Sequence, residues 1–399
     1  MSIPVRDNEL LTRVEGAPMG EMLANNFWFP ATLSVKLVAD GMPVRVRLVG
    51  RNFVAFRSTD GRVGFFNEAC PHRRASLALA HNEDNALRCI FHGWKYGVDG
   101  TVLEVPTEPH NRTEFCKKVP LRHYPVREAG GMVWVWIGSG PPQRFPDFEF
   151  NTLPADQVYA VEQHIDCNWM QDLEGGLDSA HVSWLHREVL KKIGIPLALD
   201  DGAPVYEFED TPSGYRYAAI RSTNDGRRFV RVNEFVMPWF QFICPEKDDG
   251  ARLTIISVPV DDTHCIHRMI RYNPLAPLTP DYIYPAPDPT NYPPLPPPGD
   301  NWGQDRAAMA RGHWSGFHHV NTEDFAVTLS MGPITDRTEE YLNSGDRGVI
   351  RARKQLLDAV KASLAGAPLE LARHDEIPYP AIRAAAAVQT TADDWRVIA

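Results

Sequence analysis

Two short segments of this chain place cysteine and histidine in alternation. Residues 70–74 read CPHRR and residues 89–94 read CIFHGW, which gives C-x-H, sixteen intervening residues and C-x-x-H. Each pair lies in a turn between predicted strands, so two loops can close on one metal centre. Thiolates suit iron–sulfur chemistry, and imidazoles in place of two thiolates raise the potential of a cluster. The candidate ligands are Cys70, His72, Cys89 and His92.

A structural zinc site is the alternative for the same four residues, because two cysteines and two histidines also bind Zn²⁺. Zinc sites of this composition usually put both cysteines in one pair and both histidines in the other. The alternation within each pair therefore favours a [2Fe-2S] cluster. The segments Cys70–Arg73 and Phe91–Trp94 resemble the Rieske [2Fe-2S] motif.

Strand patterns dominate the first part of the chain. Short apolar or alternating runs, separated by Gly, Asp and Pro, predict an all-β module that ends near residue 155. The clearest of these runs are residues 44–50, 53–58, 63–69 and 131–138.

Helical and strand patterns are mixed beyond residue 156. Helical patterns occupy residues 169–190, 303–312 and 346–365, and longer strand candidates lie between 215 and 273. Residues 274–299 are rich in proline and predict an extended surface loop that could act as a lid. We therefore predict an α+β chain with three parts: an N-terminal segment (1–40) packing on the catalytic domain, an all-β [2Fe-2S] domain (41–155) and a catalytic domain (156–399).

A second group of candidate ligands lies in residues 168–186, NWMQDLEGGLDSAHVSWLH. His181 and His186 are five residues apart, about 140° around an ideal helix, so the helix must end or bend there if both bind one metal. Glu174, Asp178 and His181 are spaced by four and three residues and would share a helix face. An ordinary amphipathic helix with surface acids is the alternative.

The pattern E-x3-D-x2-H-x4-H resembles the mononuclear iron motif of Rieske oxygenases. Residues 320–342 resemble the region where that family supplies a carboxylate ligand, which on this match is Asp324, with Glu323 as the rival. The segments LEGGLDSAH and GPITDRT are most similar to the phthalate dioxygenase branch, which includes phenoxybenzoate dioxygenase-like enzymes. Many relatives carry Asn where this chain has Glu174, so a catalytic role for Glu174 near the iron stays open.

The resemblance implies a helix-grip catalytic domain, mononuclear Fe(II) and a homotrimer, and leaves open whether trimers stack. In the family, the cluster of one subunit supplies electrons to the iron of its neighbour, and Asp178 would join His181 to the neighbouring subunit's His92. A separate reductase with flavin and NADH, with or without a ferredoxin, is also implied. No G-x-G-x-x-G follows a strand in this chain, so those cofactors must bind elsewhere.

Three functions fit these motifs. The first is O2-dependent hydroxylation of an aromatic, carboxylated compound, and the second is O- or N-dealkylation with the same metals. The third, a Rieske electron carrier without catalysis, would not need residues 156–399. Arg221, at the end of YRYAAIR, is the candidate cation for a substrate carboxylate, because Arg binds carboxylates with two hydrogen bonds.

Composition excludes other classes. A net charge of -10 argues against nucleic-acid binding, which needs clustered Lys and Arg. No segment approaches the apolar run of about 20 residues that a membrane span needs, and the charged N-terminus lacks a signal peptide pattern. We therefore expect a cytoplasmic protein. The remaining histidines, His267 among them, are expected to pack in the core or lie on the surface.

Overall fold

The computed structural model of the chain describes residues 3–193, 199, 201–244, 250–279 and 296–398. Two compact units divide the chain: residues 24–145 form one, and residues 1–23 with 146–399 form the other. The limits predicted from the sequence for the all-β domain are residues 41 and 155. Most of the proline-rich segment, and with it the predicted lid, lies outside the described residues.

Small antiparallel sheets build the unit formed by residues 24–145. After the two N-terminal helices, α1 (Val5–Thr12) and α2 (Pro18–Asn26), the strands associate in the orders β1-β10-β9, β2-β3-β4 and β5-β6-β7-β8. The elements are β1 Phe29–Leu33, β2 Val44–Leu48, β3 Arg51–Arg57, β4 Val63–Asn67, β5 His81–Glu83, β6 Ala86–Arg88, β7 Lys95–Gly97, β8 Val102–Glu104, α3 Arg112–Cys116, β9 Val126–Ala129 and β10 Met132–Val135.

Both candidate ligand loops are anchored in the core of this unit. One loop follows β4 and the other joins β6 to β7. Cys70 and Cys89 belong to the same buried hydrophobic cluster as Phe56, Phe66 and Tyr96. The strands therefore anchor the cysteines of both loops in the core of this unit.

An eight-stranded antiparallel sheet is the centre of the other unit, as far as its residues are described. The strand order is β11-β17-β16-β15-β14-β13-β12, and β18 pairs with β14. The predicted α+β fold is confirmed. The strands are β11 Val158–Ile165, β12 Val205–Thr211, β13 Gly214–Ser222, β14 Arg228–Val236, β15 Phe240–Ile243, β16 Arg252–Pro259, β17 Cys265–Tyr272 and β18 Ala385–Gln389; the helices are α4 Trp169–Leu177, α5 Arg187–Ile193, α6 Arg306–Ala310, α7 Val320–Ser330 and α8 Arg347–Leu364.

Helix α4 packs on one face of this sheet, between the sheet and helices α7 and α8. Tyr217 Oη donates to the carbonyl of Leu177 at 2.8 Å and so ties the end of α4 to β13. The approach is close: a Cβ on Gly176 would overlap the side-chain amide of Gln241. None of the described helices is both long and apolar enough to cross a membrane.

The helical pattern at 169–190 is interrupted, as the spacing of His181 and His186 requires. Helix α4 ends at Leu177, Asp178 takes an extended backbone conformation (φ -85°, ψ 111°), and His181–Ser183 form a single 3₁₀ turn. Helix α5 begins only at Arg187. The break turns both histidine side chains to the same side, which a continuous helix would not do.

Candidate metal centres

The two Cys/His loops of the all-β unit have the same backbone design. In each loop the backbone carbonyl five residues after the cysteine accepts a hydrogen bond from the cysteine N–H: Cys70 N donates to Ala75 O at 2.8 Å, and Cys89 N donates to Trp94 O at 2.9 Å. Left-handed residues close both turns, Arg74 (φ 67°) and Gly93 (φ 72°). Two such turns facing each other bring four ligand side chains together.

The donor atoms fit a Rieske cluster. The His72 and His92 rings lie 4.4 Å apart between centroids, and the Nδ1 atom of His92 is buried with no hydrogen-bond partner among the described residues. Tyr96 Oη lies 3.0 Å from Cys70 Sγ. Burial raises the pKa of the Cys89 thiol, against backbone N–H donors that favour its thiolate. A cluster that binds sulfur and imidazole nitrogen would satisfy these atoms.

Three side chains of the other unit form a candidate iron site. His181 Nε2 and His186 Nε2 lie 3.2 Å apart, and Asp324 Oδ1 lies 3.2 Å from His186 Nε2 and 3.6 Å from His181 Nε2. Ligand atoms about 2.1 Å from one ion and about 90° apart are separated by about 3.0 Å. The triangle therefore fits two histidines and one carboxylate on one face of Fe(II), which leaves the opposite positions open.

Each histidine of this site has a further carboxylate at its second ring nitrogen. His186 Nδ1 lies 2.6 Å from Glu323 Oε2, and His181 Nδ1 lies 3.5 Å from Asp178 Oδ2. Ser315 Oγ donates to the other oxygen of Glu323 at 2.5 Å. Such carboxylates fix the orientation of the imidazole and make it a better metal ligand.

The electrostatics of this group favour a cation. Burial lowers the pKa of His186, but Asp324 and Glu323 outweigh burial and raise it to about 10. Burial raises the pKa of Asp324, but His186 and His181 stabilise its carboxylate. The net effect is a pKa below the usual value. A metal ion at Nε2 of His186 would replace the proton that the two carboxylates otherwise attract.

Comparison with known proteins decides the family. A model described as Rieske [2Fe-2S] domain matches residues 27–125, and one described as LigXa C-terminal domain like matches residues 135–399. The phthalate 4,5-dioxygenase oxygenase subunit of Pseudomonas putida is 38% identical over 392 residues, which cover 90% of this chain and 87% of that one. This chain belongs to the Rieske oxygenase family.

Other relatives of this oxygenase agree with that membership. The 3-chlorobenzoate-3,4-dioxygenase oxygenase subunit of Comamonas testosteroni is 33% identical and covers 91% of this chain and 90% of its own. The crystal structure of dicamba monooxygenase bound to dicamba shares the fold, with a TM-score of 0.59 at 18% identity over 86% of this chain and 99% of that one. The protein is therefore the oxygenase component of a Rieske oxygenase, with a [2Fe-2S] cluster and a mononuclear iron as cofactors.

Glu174 of this oxygenase forms ion pairs with two arginines and does not share a helix face with His181. Its carboxylate accepts hydrogen bonds from Arg353 Nε at 2.8 Å and from Arg337 Nε at 3.0 Å. Both arginines are buried, and Arg353 also pairs with Glu340. The shared face expected from the spacing does not form, because α4 ends before Asp178. Glu174 instead fastens α4 to α8.

The sequence did not predict the hydrogen bonds that orient His186, which come from Glu323 and, through it, from Ser315. The sequence indicated Glu323 only as a rival ligand, yet Glu323 contacts Nδ1 of His186, whereas Asp324 lies beside Nε2. Adjacent residues on a helix point about 100° apart, so only one of the pair can face the same centre. This angle between Glu323 and Asp324 was the sequence signal that could have predicted different roles for the two acids. Nothing in the sequence pointed to Ser315.

Proposed function

We propose that this oxygenase hydroxylates an aromatic carboxylate at an iron held by His181, His186 and Asp324. Cys70, His72, Cys89 and His92 would hold the Rieske cluster that passes electrons to that iron. Bound iron would supply the site where O2 is reduced and activated. The observation that carries the choice of substrate is the environment of Arg221.

Arg221 is a fully buried cation, and no carboxylate in the part of the chain that the structure describes is in hydrogen-bond contact with it. Its Nη2 donates to the carbonyl of Ser179 at 2.6 Å and its Nε donates to Ser183 Oγ at 3.1 Å. Its Nη1 is buried and has no partner among the described residues. Burial, with the like charge of Arg231 beside it, lowers the pKa of Arg221 to about 10. An incoming carboxylate would offset that cost.

The position of Arg221 suits a substrate that must reach the iron. Ser179 and Ser183 flank His181, so the guanidinium lies against the turn that carries this ligand. The same contacts orient the turn itself. Arg221 would therefore fix the carboxylate end of the substrate relative to the metal, and orientation of this kind contributes strongly to rate. The two most similar relatives named above act, by their names, on phthalate and 3-chlorobenzoate, both aromatic carboxylates.

Replacing Arg221 should separate charged from neutral substrates. We expect Arg221→Gln to raise KM for a carboxylated arene about 10- to 100-fold, because a hydrogen bond to a charged group contributes about 1.5–3 kcal/mol, and to change KM for the matching amide or methyl ester much less. Steady-state product formation on both compounds measures this. Arg227→Gln is the matched control, because Arg227 is an exposed arginine of the same hairpin that pairs with Asp225. Equal effects of Arg221→Gln on both compounds would count against the proposal.

O- or N-dealkylation is the second candidate, favoured by the 28% identical 5,5'-dehydrodivanillate O-demethylase oxygenase subunit of Sphingobium sp.. The two reactions use the same side chains and differ in which substrate carbon lies beside the iron. Turnover of methoxybenzoates distinguishes them: formaldehyde indicates dealkylation, and a hydroxylated ring that keeps its methoxy group indicates ring oxidation.

The proposal also includes an electron donor and an oligomeric state. We infer that a separate reductase with flavin and NADH, with or without a ferredoxin, reduces the cluster, and that three subunits form a ring. Complexes of an oxygenase with a ferredoxin occur among the solved structures with this fold. None of the six cysteines, all of which lie in the described ranges, forms a disulfide, which suits a protein of the reducing cytoplasm.

Asp178 is the residue we propose for the electron path between subunits. Its carboxylate accepts from the backbone N–H of Ala180 at 2.7 Å, which aims the second oxygen at His181. In the trimer it would also contact the neighbouring subunit's His92. Burial raises the pKa of Asp178, but the hydrogen bond and charge of His181 outweigh burial and lower it below its usual value.

Removing that charge should slow electron transfer. We expect Asp178→Asn to retain both metals and the trimer but to reduce turnover on the order of a hundredfold, by analogy with other carboxylates behind metal-bound histidines. Single-turnover kinetics on the fully reduced variant measures the step directly. Asp156→Asn, an exposed acid on another turn, is the control and should be silent. Electron transfer at the wild-type rate in Asp178→Asn would refute the bridge.

A further inference from the structure

The ring of Trp94 connects one proposed cluster ligand to the protein surface, and none of the roles above uses it. It lies face to face with the His72 ring, with centroids 4.5 Å apart and ring planes 8° apart. Trp94 Nε1 donates to Thr107 Oγ1 at 3.1 Å, and the Phe115 ring packs edge-on against Trp94 with centroids 5.7 Å apart. Trp94 is buried, whereas Thr107 is exposed and Phe115 is half-buried. A single aromatic ring therefore separates His72 from surface side chains.

The two proposed histidine ligands of the cluster have different surroundings. His92 follows the exposed Phe91, and in the proposed trimer it contacts the neighbouring subunit, to which the electron leaves. His72 is covered by Trp94 instead. The rate of electron transfer falls steeply with the distance between two redox centres. The surface over Trp94 therefore offers a short route into the cluster through the histidine that the exit does not use.

Exposed side chains around this route carry an excess of positive charge. Arg112 on α3 and the two residues that follow this helix, Lys117 and Lys118, are exposed. The acids of the same stretch are Glu108 and Glu114, and Glu114 pairs with Lys117 at 2.8 Å. We call residues 107–118 the α3 surface.

The unit that contains the cluster loops is positively charged as a whole. Residues 24–145 contain 16 Lys and Arg against 10 Asp and Glu. The rest of the chain contains 25 Lys and Arg against 41 Asp and Glu, so the net charge of -10 arises outside this unit. A positive surface attracts a negatively charged protein and raises the rate of their encounter. The charge therefore favours an acidic partner for this unit.

We propose that the α3 surface is the docking site of the external electron donor, that this donor presents an acidic face, and that the electron enters the cluster through Trp94 and His72. The inference rests on the proposed function, in which a separate protein reduces the cluster. The step transfers one electron: the centre of the donor is oxidised, the cluster is reduced, and no bond forms or breaks. Lys117 and Lys118 attract the donor, and Trp94 shortens the path.

Charge reversal on the α3 surface tests the docking site. Stopped-flow absorbance measures the reduction of the cluster by a reduced plant-type [2Fe-2S] ferredoxin, which is an acidic protein. We expect the double variant Lys117→Glu, Lys118→Glu to lower the second-order rate constant about 10-fold or more at low ionic strength. The difference should shrink as added salt screens the charges. Reduced methyl viologen, a small cation, should reduce wild type and variant at similar rates.

The matched control reverses two lysines of α5. Lys191 and Lys192 are exposed neighbours, and Lys191 pairs with an acid three residues earlier, Glu188, as Lys117 pairs with Glu114. The double variant Lys191→Glu, Lys192→Glu has the same net charge as the α3 variant and should be reduced at nearly the wild-type rate. Equal slowing in both variants would indicate a general effect of net charge and would overturn the docking site.

Two substitutions of Trp94 test the route. Trp94→Phe keeps an aromatic ring over His72, and Trp94→Leu removes it. We expect Trp94→Leu to lower the limiting rate of cluster reduction at saturating ferredoxin several-fold, with an unchanged Kd for oxidised ferredoxin and an unchanged cluster potential. Trp94→Phe should keep most of the wild-type rate. A Trp94→Leu enzyme with the wild-type limiting rate would overturn the route, and the lysine variants decide the docking site even if Trp94→Leu loses its cluster.

The remaining outcomes separate this inference from other occupants of the surface and from the proposed function. If the α3 variant loses the oligomeric mass of the wild type in sedimentation, the surface binds a second copy of the chain and the proposal is wrong. A wild type that the ferredoxin does not reduce would also overturn it. In both cases chemically reduced wild type that hydroxylates an aromatic carboxylate after addition of O2 would leave the proposed function standing.

Discussion

Asp324→Ala should abolish turnover and leave the Rieske spectrum unchanged. The two proposed metal centres have separate ligands, so loss of the carboxylate at His181 and His186 affects only the mononuclear iron. Loss of several kcal/mol of metal-assisted stabilisation corresponds to about 10³-fold or more in rate. Product formation measures the loss, and electron paramagnetic resonance of the reduced variant measures the cluster. His181→Ala and His186→Ala should behave in the same way.

Glu323→Gln is the matched control for this assignment, because Glu323 is the neighbouring acid and contacts His186 from behind. It should weaken iron binding about 10- to 100-fold and recover most activity when iron is in excess. If Asp324→Ala keeps iron and activity and Glu323→Ala loses both, the third ligand is Glu323 instead. A changed cluster spectrum in Asp324→Ala would contradict the separation of the two centres.

Glu174→Gln should destabilise the catalytic unit more than it impairs catalysis. The substitution leaves Arg337 and Arg353 buried without the carboxylate that both of them contact. Removing one partner from a buried ion pair costs about 3–5 kcal/mol. In a unit of this size that lowers the melting temperature by roughly 6–15 °C. Thermal denaturation of the holoenzyme, followed with activity per bound iron, measures both effects.

Arg351→Gln provides the comparison for Glu174→Gln. Arg351 also lies on α8, but it pairs with the exposed carboxylate of Asp210, and surface ion pairs contribute about 0–1 kcal/mol. Its melting temperature should therefore stay close to that of the wild type. A Glu174→Gln enzyme with wild-type stability and strongly reduced turnover per iron would restore the catalytic role that the sequence left open for Glu174.

Local features of the fold could be predicted from the sequence because short-range chemistry fixes them. The candidate cluster ligands lie in two loops bounded by clear strand patterns, and strands such as β2 and β3 begin and end within about two residues of their predicted limits. The break between His181 and His186 followed from helix geometry alone. The third ligand, Asp324, lies far along the chain and was named only through resemblance to the family.

Tertiary structure alone decided which acids and bases meet. The spacing predicted that Glu174 and His181 share a helix face. In the structure α4 ends before His181, and Glu174 forms ion pairs with Arg337 and Arg353 instead. The contact between His267 and Asp172 joins residues 95 positions apart, and no local pattern encodes such a pair. Helix and strand periodicity report burial, whereas the partner of a buried charge depends on how distant elements pack. The sequence therefore determined the ligand loops and the break before His186, and the packing of α4, α7 and α8 on the sheet determined the surroundings of the iron site.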